Sequence, residues 1–231
     1  MIQNATELFK LLKAAGYDNR SVDSWWWPNS GTFEVVVGAI LTQNITWKNV
    51  ENSLENLKDY LNLEEFASLD TPTLQELIRP SGFYRQKANY LKLLSNNILD
   101  EFQTFKNFQE EVTKEWLLAQ KGIGHESADA ILNYACYKEA FVVDSYTNRL
   151  LKAFGYEFNS YLELQEWIID SFYSGYKEVF PTLSRANAYA RAHGMVVEYC
   201  KVHSKRKEVE TSELLRAKNS HSFKSCDIIK L

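Results

Sequence analysis

Asp144 follows a short apolar run, Phe141-Val142-Val143, and precedes Ser145-Tyr146-Thr147-Asn148-Arg149-Leu150. An acid in this position caps the helix that follows it. The helix dipole and the first backbone N–H groups then hold the carboxylate ionised. Taken alone, such a residue is a structural cap. The same group can also stabilise developing positive charge or take a proton from water. Gly124 lies twenty residues earlier, in Lys121-Gly122-Ile123-Gly124-His125-Glu126-Ser127. Two glycines permit a tight turn between helices, and the second helix begins there with its N–H groups facing outward. That arrangement holds an anion, and a DNA phosphate fits it. Gly122 and Gly124 alone would equally suit an ordinary helix connection. The hairpin followed by an acid at this spacing makes Asp144 a candidate catalytic carboxylate.

A second cluster is aromatic. Trp25, Trp26, Trp27 and Trp47 are four of the six tryptophans, and Pro28 follows the adjacent three. One reading ties this segment to a helical core. The other makes the rings walls against which a base stacks. Three adjacent rings cannot all face one way, so Trp25 is expected to turn inward, leaving Trp26 and Trp27 outward.

Helices must position these groups. Phe33, Val36, Val37, Ile40 and Leu41 follow the spacing of one buried helical face. Leu54, Leu57, Tyr60 and Leu61 continue the pattern, as do Leu91, Leu94 and Ile98. Ser184 is placed to cap a helix that carries Tyr189, Val196, Val197 and Cys200 along one side. Phe141 to Asp144 is extended but too short for a sheet. The expected fold is all-α, with about ten helices. From Ser204 the period weakens and charge rises, which reads as a tail or a terminal exposed helix.

Composition bounds the function. The 231 residues are 45% apolar and 24% charged, ordinary for a globular protein with a real core. No apolar run is long enough to span a membrane or to act as a signal segment, so a cytoplasmic protein is expected. The net charge is −4, but it is unevenly spread. Arg79 to Lys92 and Lys201 to Lys207 are basic without an acid, whereas Leu54 to Ile78 is acidic. This fits one basic face and an acidic back. Three separated cysteines, Cys136, Cys200 and Cys226, make neither a disulfide framework nor a four-thiolate cluster. The four histidines show no metal-ligand spacing.

The segment from Lys121 to Leu151 resembles the signature of the helix-hairpin-helix DNA glycosylases, the superfamily of endonuclease III and the adenine glycosylase of mismatch repair. Phe33 to Val50 is similar to that family's first long helix and the Gln-bearing turn that enters DNA. Ser81 to Leu91 is similar to its glycine-hydrophobic-Tyr-x-x-Lys-Ala segment. The three motifs stand in the family's order and span most of the chain.

The resemblance implies two helical lobes with the active-site cleft between them. Residues 31–135 would form a six-helix lobe with the hairpin. Residues 1–30 and 136–203 would form the second, and 204–231 the tail. It implies a monomer acting on damaged double-stranded DNA at the nucleoid of a bacterium, with no membrane partner. Lys121, Gly122, Gly124 and Ser127 would grip a phosphate, with a monovalent cation allowed at the hairpin carbonyls and no other metal. Gln43 and Asn44 would fill the gap left by the flipped nucleotide, and Asp144 would be catalytic.

Two departures narrow the expectation. The endonuclease III branch carries a nucleophilic lysine two residues after the second hairpin glycine, where this chain has Glu126. A carboxylate forms no imine, so a monofunctional glycosylase without lyase activity is implied. That branch also binds an iron–sulfur cluster through four close cysteines. Here no cofactor of that kind is expected.

With the tryptophans, the chain resembles the bacterial 3-methyladenine DNA glycosylase subgroup. Carried over by position, Trp26, Trp27 and Pro28 form one wall of the base pocket and Trp47 the other. Lys201 faces the pocket, or else meets DNA phosphate or solvent. The implied reaction is excision of alkylated purines by base flipping and hydrolysis. The alternatives are a monofunctional glycosylase for mismatched or deaminated pyrimidines or oxidised bases, and a DNA-binding protein without catalysis.

Overall fold

The computed structural model describes residues 2–19, 23–206 and 208–218. Among the described residues the chain is all-α apart from one two-residue antiparallel pair, and it divides into two compact units. Residues 27–140 form one continuous unit, and residues 1–26 with 141–231 form the other.

The continuous unit is built around α2 (Phe33–Leu41), in which every residue but Glu34 is buried. A helix apolar on all sides belongs at the centre of a bundle. Around it run α3 (Trp47–Asn56), α4 (Leu63–Ser68), α5 (Thr71–Leu77) and the long α6 (Tyr84–Phe102). Then come α7 (Phe105–Glu111), α8 (Lys114–Ala119) and α9 (His125–Ala130). Starts are set by side-chain caps: Asn62, Asp70, Thr104 and Thr113 each accept from an N–H three residues on. Past α9 the chain widens into one π-helical segment, Ile131–Ala135, fully buried. Such a widening inside a helix commonly marks a functional region.

The expected lobe boundaries at 30/31 and 135/136 shift by a few residues. The reason is local bonding. Trp27 packs on Tyr134, and the Gly31 amide donates to the Tyr134 carbonyl at 2.8 Å. The Tyr137 hydroxyl donates to the Ser30 carbonyl at 2.9 Å. Lys138 Nζ donates to the carbonyls of Glu110 and Val112. Residues 27–30 and 136–140 are thereby fixed to the continuous unit.

The other unit packs α1 (Ala5–Ala14) against α11 (Tyr161–Val179) and α12 (Arg185–His203), with α10 (Ser145–Ala153) beside α12. Phe9, Phe141, Phe172, Tyr189 and Tyr199 dominate its core. Ser184 caps α12 by accepting from the Asn187 amide, as its sequence position indicated. The described part of the expected tail carries secondary structure. Ser204–Lys205 pairs with Glu208–Val209, and residues 212–218 are helical. Residues 219–231, including Cys226, lie outside the described residues. No helix among the described residues is long and apolar enough to cross a membrane.

The basic stretch from Arg79 to Lys92 is only in part surface charge: Arg85 is exposed, and the others are engaged. Arg79 pairs with Glu76, and Lys92 donates to the Ala67 carbonyl. Lys87 is only 3% exposed and donates to the carbonyls of Leu41 and Ser81 at 2.8 and 2.7 Å. It therefore caps the C-terminal end of α2 from inside the unit. Burial pulls its ammonium down from 10.5 to about 8. The unfolded chain then binds the proton more tightly than the fold does between those values, so stability should rise with pH across that window. The full span corresponds to about 3 kcal/mol. Denaturation of wild type and Lys87→Met at pH 7 and above should show this rise in the wild type. The difference between the two should vanish as a function of pH if Lys87 is not its source.

Candidate active site

In the continuous unit the hairpin joins α8 to α9 through Gln120–Gly124. Its two helices are cross-braced by Lys114 Nζ and the Asp129 carboxylate at 2.8 Å, the latter buried. Gly122 has φ +88, and a Cβ there would strike the Tyr90 ring at 2.1 Å. Fold geometry therefore requires this glycine. Gly124 is different: its φ is −99, it is exposed, and a Cβ would meet nothing within 4 Å. Nothing inside the described chain demands a glycine there, whereas close approach of an outside backbone would. Lys121 and Glu126 are exposed on either side.

Two expected DNA contacts are employed differently. Ser127 is buried, and its hydroxyl donates to the Ala39 carbonyl while accepting from Gln43 Nε2 at 3.0 Å. It is not presented to a phosphate. Gln43 Nε2 also donates to the Gly122 carbonyl at 3.0 Å. Gln43 thus braces the turn after α2 against the hairpin and does not project from it. Asn44 is exposed at the tip with φ +57. Phe83, not anticipated from sequence, is 70% exposed and left-handed, with φ +46. A large exposed ring in that strained conformation is a mark of function.

The tryptophan run splits at the unit boundary. Trp27 belongs to the continuous unit, where it is 9% exposed and packs on Tyr134. It also meets Trp47 edge to face, with ring centroids 5.6 Å apart. The two rings touch and do not face each other across a gap, so the expected opposition of Trp27 and Trp47 is not formed. Trp47 stays half-buried at the start of α3, with its indole N–H on Glu51. Pro28 is exposed. Trp25, expected to turn inward, is half-buried, and the inward ring is Trp27. Side-chain volume alone did not distinguish them. The aromatic slot beside Tyr134 did.

Trp26 belongs to the other unit and adopts φ +71. Its ring lies against α12, where a Cβ on Gly194 would sit 2.3 Å from it. That glycine makes the seat. The indole N–H donates to Glu198 Oε1 at 3.3 Å, and Lys201 Nζ reaches the same oxygen at 2.8 Å. Lys201 also stands 5.8 Å over the Trp26 ring. Lys201 is therefore in the cluster, with its charge already met by Glu198.

Asp144 is the N-cap of α10. Its Oδ1 accepts from the Thr147 amide at 2.8 Å and the Thr147 hydroxyl at 2.9 Å. Its Oδ2 faces His193 Nε2 at 3.5 Å, with side chains 14% and 5% exposed. Burial alone would raise this carboxyl. His193 and the two Thr147 donors outweigh burial and hold it below the usual carboxylate range. His193 in turn meets the Trp26 ring edge on, 5.3 Å between centroids. Asp144, His193, Trp26, Glu198 and Lys201 thus form one cluster within one unit. His193 and Glu198 were missed from sequence, although His193, Val197 and Lys201 recur at helical spacing. Burial pushes the Cys136 and Cys200 thiols up to about 12, so neither is a nucleophile at neutral pH. Among the described residues, no group of three or more His, Cys, Asp or Glu is placed to hold a metal ion.

Comparison with known proteins gives the class. Residues 37–165 match the model of the HhH-GPD superfamily base excision DNA repair proteins. A Methanocaldococcus jannaschii relative, provisionally named a DNA repair glycosylase, is 38% identical over 193 residues. That match covers 79% of this chain and 82% of the relative. The crystal structure of the H. pylori 3-methyladenine DNA glycosylase bound to 1,N6-ethenoadenine is 45% identical with a TM-score of 0.84. It covers 88% of this chain and 100% of its own. Endonuclease III of Thermotoga maritima is 27% identical over 54% of this chain and 57% of its own. The chain belongs to the HhH-GPD superfamily of base excision DNA repair proteins. Within it, the protein is a DNA glycosylase.

Proposed function

We propose that the protein is a monofunctional glycosylase that removes alkylated purines of the 3-methyladenine type from double-stranded DNA, working as a monomer. The observation that carries this reading is the ionised, largely buried Asp144 in one cluster with the Trp26 indole. Similarity to the H. pylori 3-methyladenine DNA glycosylase supports the base class. An alkylated purine is cationic, and its glycosidic bond is already weakened. An electron-rich ring that attracts a cation suits it.

The reaction runs as follows. Gly124 lets a DNA phosphate approach the N–H groups of α9, and Lys121 adds charge. Asn44 and Phe83 enter the duplex where the nucleotide leaves the stack. The C1′–N bond breaks with its electron pair going to the base. Asp144 stabilises the positive sugar, and a water oxygen bonds to C1′ while its proton passes to the carboxylate. The products are free base and an abasic site. Glu126 occupies the place where an amine would be needed for an imine, so no strand cleavage follows. With three cysteines in the chain, no four-thiolate iron–sulfur cluster is needed or formed.

Release from duplexes carrying single lesions tests both halves. 3-Methyladenine should be freed, with thymine, uracil and oxidised bases retained; the reverse pattern assigns the protein to another specificity. Borohydride should trap no protein–DNA adduct, and a trapped adduct would overturn the monofunctional reading.

A further inference from the structure

Two turns of the continuous unit each end in an exposed, left-handed residue. Asn44, with φ +57, stands in the turn after α2, and Phe83, with φ +46, in the turn before α6. The two lie thirty-nine positions apart in the numbering. One side chain joins their backbones. Lys87 Nζ donates at 2.8 Å to the carbonyl of Leu41, the last residue of α2. It donates at 2.7 Å to the carbonyl of Ser81, two residues before Phe83. The Lys87 amide donates to the Phe83 carbonyl at 3.0 Å, so the Phe83 turn is held from both sides. Ser81 is itself fully buried, with its hydroxyl on the Ile78 carbonyl. The turns also lie side by side, since a Cβ on Gly82 would stand 3.5 Å from Ile45 Cδ1.

We propose that Lys87 is a positioning residue for base flipping: it pins the Asn44 turn to the Phe83 turn, so that both side chains enter the duplex at one fixed separation. The inference rests on the entry of Asn44 and Phe83 into DNA, as above. Two loosely joined turns would have to be ordered at the moment the nucleotide leaves the stack. Turns held together beforehand meet the duplex already arranged, and the flipping step is spared that cost. A lysine suits the task because its N–H donors radiate from one atom and can satisfy two carbonyls at once. Hydrogen bonds from a charged donor are also stronger than neutral ones.

The hairpin has braces of its own. Tyr90, three residues beyond Lys87 on α6, packs on Gly122, and Lys114 pairs with Asp129 across α8 and α9. Loss of the Lys87 head should therefore leave the phosphate-gripping turn in place, and general DNA binding with it. The step that should suffer is the entry of the two side chains into the stack.

The test compares wild type, Lys87→Met, Phe83→Ala and the double variant, below the melting range of the least stable. Methionine keeps an unbranched stem but donates nothing. Single-turnover release of base from methylated duplex DNA should fall about tenfold to a hundredfold in Lys87→Met, while affinity for undamaged duplex changes about twofold or less. In the Phe83→Ala background the same substitution should cost far less, because the ring it aims is gone. Losses that simply multiply would mark a general structural role and overturn the proposal. Insertion is also read without catalysis, on a duplex carrying an abasic-site analogue beside 2-aminopurine, whichever base the enzyme removes. The fluorescence change on binding wild type should shrink in Lys87→Met to the Phe83→Ala level, and an undiminished change in Lys87→Met overturns the proposal. Should the Met variant not fold, Lys87→Gln, which keeps a donor on a stem one atom shorter, takes its place under the same criteria. A full signal in Phe83→Ala would remove Phe83 from the duplex, and the proposal with it. Failure of the alkylpurine reading appears separately, as the identity of the released base.

Discussion

Asp144→Asn is expected to reduce base release by about a hundred- to a thousand-fold while the protein still folds and binds DNA. The separation is possible because the residue does two things with two oxygens. As N-cap of α10, Oδ1 accepts from Thr147, and Asn serves that position as well as Asp does. The helix should start as before. What is lost is the negative charge at Oδ2, the part that meets a developing cation. The two Thr147 donors and His193 keep the native carboxylate ionised despite its burial. Its own protonation should therefore affect the rate only below the usual carboxylate range. The same shift has a stability consequence with a definite sign. A lowered folded-state pKa contributes stability above the unfolded value and loses it as pH falls. The stability gap between wild type and the Asn variant should thus close on strong acidification. Single-turnover release, DNA affinity and the denaturation midpoint measure the three effects. A variant with the wild-type rate would remove Asp144 from the chemistry.

Gly122→Ala and Gly124→Ala should fail in opposite ways, although two residues apart. At Gly122 the backbone is left-handed, which costs alanine about 1–2 kcal/mol. The added methyl must also displace the Tyr90 ring from α6, adding about 1–3 kcal/mol. A drop of roughly 5–15 °C in thermal midpoint is expected for a chain of this size. Gly124→Ala meets open space in an allowed conformation and should leave the midpoint unchanged. Its methyl would stand where a phosphate must approach the α9 amides, so affinity for DNA should fall about tenfold. Melting curves and DNA titrations on the two variants check the contrast. Equal melting loss would mean that Gly124 serves packing, and unchanged affinity would take the phosphate away from this turn.

Much of this was legible in the sequence because the signals are local. Helical spacing marked α2, α6 and α12, since their buried faces repeat every three or four residues. Asp144 was readable as a cap because an extended valine pair ends on it. The two glycines were readable as a turn, but their different duties were not. One is decided by Tyr90, more than thirty positions earlier in sequence, and the other by the absence of any neighbour. Buried polar groups were the main failures. Ser127 and Lys87 look like surface chemistry in a sequence, yet both are consumed by backbone carbonyls inside the bundle. Helical spacing put His193 on one face with Val197 and Lys201 but did not reveal its partner, the cap of another helix forty-nine positions away in the numbering. Which tryptophan turns inward depended on the slot beside Tyr134, again a distant residue.

The insertion of one unit within the other also governs how the protein is made. α1 leaves the ribosome early, but the carbonyl that its Thr6 hydroxyl donates to, that of Ser171 in α11, is 165 residues downstream. At ordinary synthesis rates that partner arrives on the order of ten seconds later. Residues 27–140 form one unit from an uninterrupted stretch of chain and can condense in the meantime. The nascent chain therefore holds an amphipathic α1 in waiting while the hairpin-bearing unit completes itself. The carboxylate cluster is assembled last, when α12 brings His193 and Glu198 to a Trp26 that was translated long before.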